Sequence, residues 1–359
     1  MTATNFEKIV LAANQQLGDN PRHSNIGESV GRPRFELYHS APSLCSHKVR
    51  TTLAELDIPY RSHDMNIMPA GRALPENYHP SYVRMRLLGQ DERGLVSSYT
   101  GQSSVTTEGL DPCVVPTLVD HQAQRVVVDS SEICKYVDTF GEAGKRLIPD
   151  GMETAIQAQL DVIDRAPHVA ALYGANPDGD RRPGELPKRL AGVQDRKIKN
   201  LRRVMRKLNS GDPVLAAYES KIAKELASKS FVSTPQKMRG TYAAMRAHAA
   251  DLEAQLASHE GCWALGEEYT LADVVWTCSL FRLKWLGLGD TFEGNSETRR
   301  VEQYSERAFE RAAFQQGVVE WPAAYGPCEY IPEYAGPANE KRLKKQFLKR
   351  FSPLKIVFG

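Results

Sequence analysis

No two of the six cysteines stand in a C-x-x-C pair, so neither a zinc site nor a thioredoxin-type dithiol is expected. Six in 359 residues is too sparse for a disulfide framework, and a reducing, cytoplasmic setting follows as the expectation. No apolar run reaches the ~18–20 residues of a membrane span, and the polar start MTATNFEKIV lacks a signal-peptide core. Charge of one sign is also missing. A formal net charge of +2 leaves no excess for a broad nucleic-acid surface. There is no G-x-G-x-x-G or Walker A sequence and no H-x-x-x-H spacing, so neither nucleotide chemistry nor a metal is expected.

What is present reads as two domains between two extensions. Residues 1–33 are polar and read as an N-terminal extension. FELYH (35–39) alternates like a short strand, CSHKVRTTLAELDI carries Val49, Leu53 and Leu56 at helical spacing, and YRSHDMNI suits a second strand. Together they form a β-α-β unit. The stretch from Met68 to Pro112 contains one helix candidate, Tyr82 to Leu88, and is otherwise loop. CVVPTLVD and RVVVD form a hairpin, and SSEICKYVDTF a helix. The first domain spans 34–148. From 149 to 330 the pattern is helical, with TLADVVWTCSLFRLKWLGLG the most apolar segment. Residues 331–359 form a basic C-terminal extension.

Four motifs carry chemistry. In S-L-C-S-H-K-V-R, Cys45 sits between a strand end and a helix start, where unpaired N–H groups favour a thiolate. The alternative is a small buried hydrophobe. Ser43 is either a hydrogen-bonding partner for an incoming thiolate or a helix N-cap. In V-V-P-T-L, Pro116 is either an edge-strand proline or a cis proline that leaves Val115 free to pair with an extended peptide. In V-D-S-S-E, Asp129 suits an ammonium and Ser130 a carboxylate, unless they only cap the helix. Thr270 and Asp273 of T-L-A-D form a structural capping box.

These motifs, in this order, resemble the glutathione transferase superfamily across residues 34–325. The resemblance implies a thioredoxin-like domain followed by an all-helical domain, with glutathione as the cosubstrate. It implies that Cys45 or Ser43 acts on the glutathione thiol and that Val115, before a cis Pro116, pairs with the tripeptide backbone. Asp129 and Ser130 would hold the γ-glutamyl group. YVRMRL, GLDPCVVPTLVDH, PHVAALYGANPDGDRRP and TLADVVW further resemble the reductive dehalogenase branch. That branch implies a small aromatic substrate, a chlorinated hydroquinone, dechlorinated through a Cys45–glutathione mixed disulfide. The rival readings are cleavage of a lignin-derived β-aryl ether, plain conjugation, and a non-catalytic binding module. A dimer, with itself or with a related chain, is also implied.

Overall fold

The computed structural model describes residues 3–18, 22–29, 31–69, 73–103, 109–321, 328, 330 and 331. The basic tail beyond 331 lies outside the described residues. The central strand β2 (Phe35–His39) is buried along its whole length rather than on one face. It runs parallel to β3 (Tyr60–Asp64), with Phe35 opposite Tyr60, and the crossover between them is helix α2 (Leu44–Glu55). β4 (Thr117–Asp120) lies antiparallel on the other side of β2, and β5 (Arg125–Val128) folds back against β4. With β1 (His23–Ile26) at the far edge, the sheet order is β1-β3-β2-β4-β5.

Alternation along these strands feeds two cores. Phe35, Leu37, Leu118 and Val127 join one, with α2 and helix α4 (Ser130–Asp138). Tyr38, Val119, Val126 and Val128 join the other, with α1 (Ala3–Leu17) and α3 (Pro80–Arg86).

The first 33 residues, read from sequence as an extension, thus supply a helix and a strand of this sheet. Phe6, Val10, Ala13 and Leu17 recur at helical spacing and are all buried, while β1 pairs antiparallel with β3, His23 opposite His63. The polar composition of the segment conceals that stripe. Asn14 fastens α1 to the sheet, donating to Glu36 at 3.0 Å and accepting from the Tyr38 hydroxyl at 2.6 Å.

The second half is helical: α5 (Glu153–Arg165), α6 (His168–Tyr173), α7 (Leu186–Leu190), α8 (Val193–Met205), α9 (Pro213–Val232), α10 (Pro235–Ala257), α11 (Leu271–Trp285) and α12 (Arg299–Phe309). α11 is buried on nearly every side and packs on α2 and α5, joining the two halves. Its capping box is formed as expected. Asp273 accepts from the N–H groups of Thr270 at 2.8 Å and Ala264 at 2.7 Å, and from the Tyr304 hydroxyl at 3.0 Å. No helix among the described residues is long and apolar enough to cross a membrane.

Candidate active site

α2 is packed between α4 and α11, so Ser46 to Leu53 are buried, charged residues included, while Leu44 and Cys45 ahead of them stay partly exposed. The turn leading into it is fastened unusually well. Ala41 donates to Asp64 at 2.9 Å, and its carbonyl accepts from His47 at 2.8 Å and from Arg50 at 3.1 Å. Arg282, from α11, donates to the Pro42 carbonyl. Arg50 also holds the Gly317 carbonyl at 2.6 Å. Close packing favours glycine there, since a Cβ on Gly317 would sit 3.1 Å from the Thr51 nitrogen. The backbone that presents Cys45 is therefore fixed before any ligand arrives.

Ser43 is the N-cap of α2, its hydroxyl accepting from Ser46 N–H at 3.3 Å. Cys45 follows in the first turn, partly exposed, and its thiol is free. The helix terminus alone does not set its acidity. Burial pushes the thiol above its ordinary value, Asp164 and Asp129 push it further, and the Lys48 ammonium and Ser130 hydroxyl pull it back. The balance is upward, opposite to the expectation from a helix N-terminus.

Lys48 lies one turn along α2, 2% exposed, with its Nζ 3.0 Å from Asp164 Oδ1. The other Asp164 oxygen accepts from Ser131 Oγ at 2.8 Å. This network joins the first turns of α2 and α4 to α5 of the helical half.

Asp129 is the N-cap of α4 and accepts from Ser131 N–H at 2.9 Å. Its φ of 80° places a non-glycine residue in the left-handed region, a strain that clusters at functional positions. Burial and the nearby Asp164 push its carboxyl up to about 6.

The Val115–Pro116 bond is cis. Neighbouring carbonyls are taken: Cys113 by Asn77, Val114 by Tyr82 and Pro116 by Arg86, the first two at 2.6 Å and the last at 2.5 Å. Among the described residues the N–H and C=O of Val115 have no partner. A buried backbone pair left open at a cavity wall is what an extended peptide would fill.

All six residues singled out from the sequence, Ser43, Cys45, Val115, Pro116, Asp129 and Ser130, line one cavity of about 230 Å³ between the two halves. The sequence reading passed over Asp164, His168 and Asn77, which line it too.

Comparison with known proteins fits this geometry. Residues 42–139 match the family model described as Glutathione S-transferase, N-terminal domain. The chain belongs to the glutathione transferase superfamily. It is 42% identical over 307 residues to a 2,5-dichlorohydroquinone reductive dechlorinase of Sphingobium indicum, covering 85% of this chain and 87% of that protein. It is 26% identical to human ganglioside-induced differentiation-associated protein 1-like 1, over 79% of this chain and 74% of that one. Among solved structures, a β-etherase from Sphingobium sp. strain SYK-6 superposes with a TM-score of 0.50 at 16% identity, covering 79% of this chain and 98% of that one. The last similarity speaks to the fold: a thioredoxin-like domain followed by a helical one.

Proposed function

We propose that this enzyme uses glutathione to dechlorinate a chlorinated hydroquinone reductively, with Cys45 as the thiol that forms a mixed disulfide. The observation that carries the reading is Cys45 itself: a free thiol on a rigid helix start, beside a buried lysine, in a cavity with an open backbone pair. The extensive identity to a reductive dechlorinase supports the substrate class.

The chemistry balances in three steps. A glutathione thiolate adds to the activated ring and chloride leaves, giving a thioether. The Cys45 thiolate attacks the thioether sulfur: an S–S bond forms, the C–S bond breaks, and the electron pair stays on the ring carbon, which takes a proton. A second glutathione thiolate then attacks the mixed disulfide, releasing oxidised glutathione and restoring Cys45. In sum, two thiols are oxidised and one C–Cl bond becomes C–H.

In this reading Val115 pairs with the tripeptide backbone, Asp129 takes the α-ammonium, and Ser130 serves both the γ-glutamyl carboxylate and the Cys45 sulfur. Ser43 shapes the turn. A dimer, with itself or a related chain, and a cytoplasmic setting belong to the same proposal and rest on the family.

The testing experiment is turnover of chlorinated hydroquinones and of a β-aryl ether with glutathione. Chloride release with oxidised glutathione supports the proposal. Ether cleavage without dechlorination overturns it in favour of an etherase.

Asp129 gives a pH-dependent expectation. With its carboxyl at about 6, protonation below that pH removes the negative charge that an ammonium needs. The KM for glutathione is expected to rise as pH falls below about 6. Asp129→Asn keeps the N-cap but not the charge, so KM should be raised roughly tenfold or more and lose that pH dependence. Steady-state KM from pH 5 to 8 measures both. A variant whose profile overlays that of the wild type would remove Asp129 from ammonium binding.

A further inference from the structure

Among the described residues, His168 and Asn77 line the cavity and each carries a buried polar atom without a partner, Nδ1 of His168 and Oδ1 of Asn77. Both residues are more than nine-tenths buried, so each orphan is costly unless a ligand satisfies it. Their other polar atoms are committed. Asn77 Nδ2 donates to the Cys113 carbonyl at 2.6 Å, which fixes Oδ1 as a bare acceptor. His168 Nε2 lies 2.9 Å from Ser279 Oγ, and that same oxygen lies 2.9 Å from Nε2 of His248.

A serine hydroxyl has one proton and sits here between two imidazoles, which leaves two arrangements. If Ser279 donates to His248, His168 carries its proton on Nε2 and its Nδ1 is an acceptor. If Ser279 donates to His168, His248 carries the Nε2 proton and Nδ1 of His168 is a donor. The chain can therefore accept a proton at the cavity and pass one inward, or the reverse, with the positive charge resting on His248, whose ring burial and Lys48 lower to about 4, rather than on the more strongly depressed His168. That matters because burial, His248, Lys48 and Arg282 together push the His168 ring well below the usual imidazole range. An isolated imidazole so placed would be a poor base.

Resting on the function proposed above, we propose that His168 is a further catalytic residue: it contacts one ring oxygen of the hydroquinone and moves that hydroxyl's proton through Ser279 to His248. Asn77 accepts from the second hydroxyl. In the forward direction the hydroxyl O–H bond breaks and Nδ1–H forms. The Nε2 proton goes to Ser279 Oγ, and the Ser279 proton goes to His248. With that oxygen ionised, the ring can take the proton of the Cys45 thiol at the carbon bearing sulfur and become a ketone, leaving Cys45 as the attacking thiolate. Attack of Cys45 on the sulfur then releases an enolate in place of an aryl carbanion, and the relay runs backwards to return the oxygen's proton.

The test uses the full chain with glutathione and a chlorinated hydroquinone. His168→Ala and His168→Gln are expected to lower kcat about 100-fold, the range for a positioned acid–base group. Free imidazole should restore much of it in His168→Ala only, since glutamine still fills the space. Ser279→Ala should lower kcat less, with KM unchanged. Glutathionylation of Cys45 by oxidised glutathione needs no ring proton and should proceed as in wild type. Variants within twofold of wild type in kcat would overturn the assignment. So would loss of Cys45 glutathionylation together with kcat, because His168 would then only support the fold. A wild type that releases no chloride overturns the underlying function instead, so the two failures are distinguishable.

Discussion

Cys45→Ser is expected to stop net dechlorination while leaving conjugate formation running. The first step uses glutathione's own sulfur as nucleophile, and the turn fixed by Asp64, His47, Arg50 and Arg282 does not depend on the Cys45 side chain. The second step needs a nucleophile that attacks sulfur and then survives as a disulfide. A serine hydroxyl is a poor thiophile and cannot close the cycle by thiol–disulfide exchange. Loss of dechlorinated product on the order of a thousandfold or more is expected, with a glutathionyl hydroquinone accumulating in its place. Acid-quenched wild type should show glutathione attached to Cys45 by mass spectrometry. Of the other five cysteines, four are buried and only Cys262 is exposed, so background labelling is readily separated. Turnover to the C–H product that survives the substitution would sink the mixed-disulfide mechanism.

Lys48→Met is expected to have the next largest effect, on reactivity and stability together. Lys48 and Asp164 are a buried pair, with side chains 3% and 5% exposed. Removing the cation strands a carboxylate away from water, at a cost of about 3–5 kcal/mol. It also removes the nearest positive charge acting on Cys45, leaving burial, Asp164 and Asp129 unopposed but for Ser130. The pH at which Cys45 becomes alkylatable should therefore move upward, seen as a right-shifted rate profile with iodoacetamide. Urea unfolding should show the lost stability. The double variant Lys48→Met with Asp164→Asn separates the two effects. Neutralising the stranded carboxylate should recover much of the stability, and the hydrogen bond from Ser131 can persist. It should not supply the missing cation, so alkylation should stay slower than in wild type. An unshifted profile in Lys48→Met would show that the ammonium does not govern the thiol.

Much of this site was legible in the sequence because its parts are local. A cysteine after a strand, a proline opening a strand and an acid–serine pair before a helix are junction patterns fixed within a few residues. The capping box at Thr270 is another, and its hydrogen bonds match that reading. What escaped comes from long range. Asp164 lies 116 residues beyond Lys48, and Ser279 lies 111 beyond His168. No spacing rule links such pairs. The acidity of Cys45 escaped for the same reason: the helix start is a local signal, whereas the burial and the Asp164 carboxylate that outweigh it are tertiary. The burial of His47, Lys48 and Arg50 also ran against composition, since a helix flanked on both sides has no solvated face for its charges. The opening segment is a different case. Its stripe of Phe6, Val10, Ala13 and Leu17 has helical period but is diluted by polar neighbours, and HSNI is too short to show alternation.

That opening segment constrains how the chain can be shortened. β1 occupies one edge of the sheet, and Asn14 is one of the groups that keep the carboxylate of Glu36, 4% exposed, in company. A polypeptide trimmed to begin near Arg34 would leave β3 with an uncovered row of backbone donors and acceptors. It would also open the greasy underside of α3 to water. Exposed strand edges recruit other chains. Such a trimmed protein would self-associate through its sheet and lose solubility, although every residue singled out for chemistry would still be present.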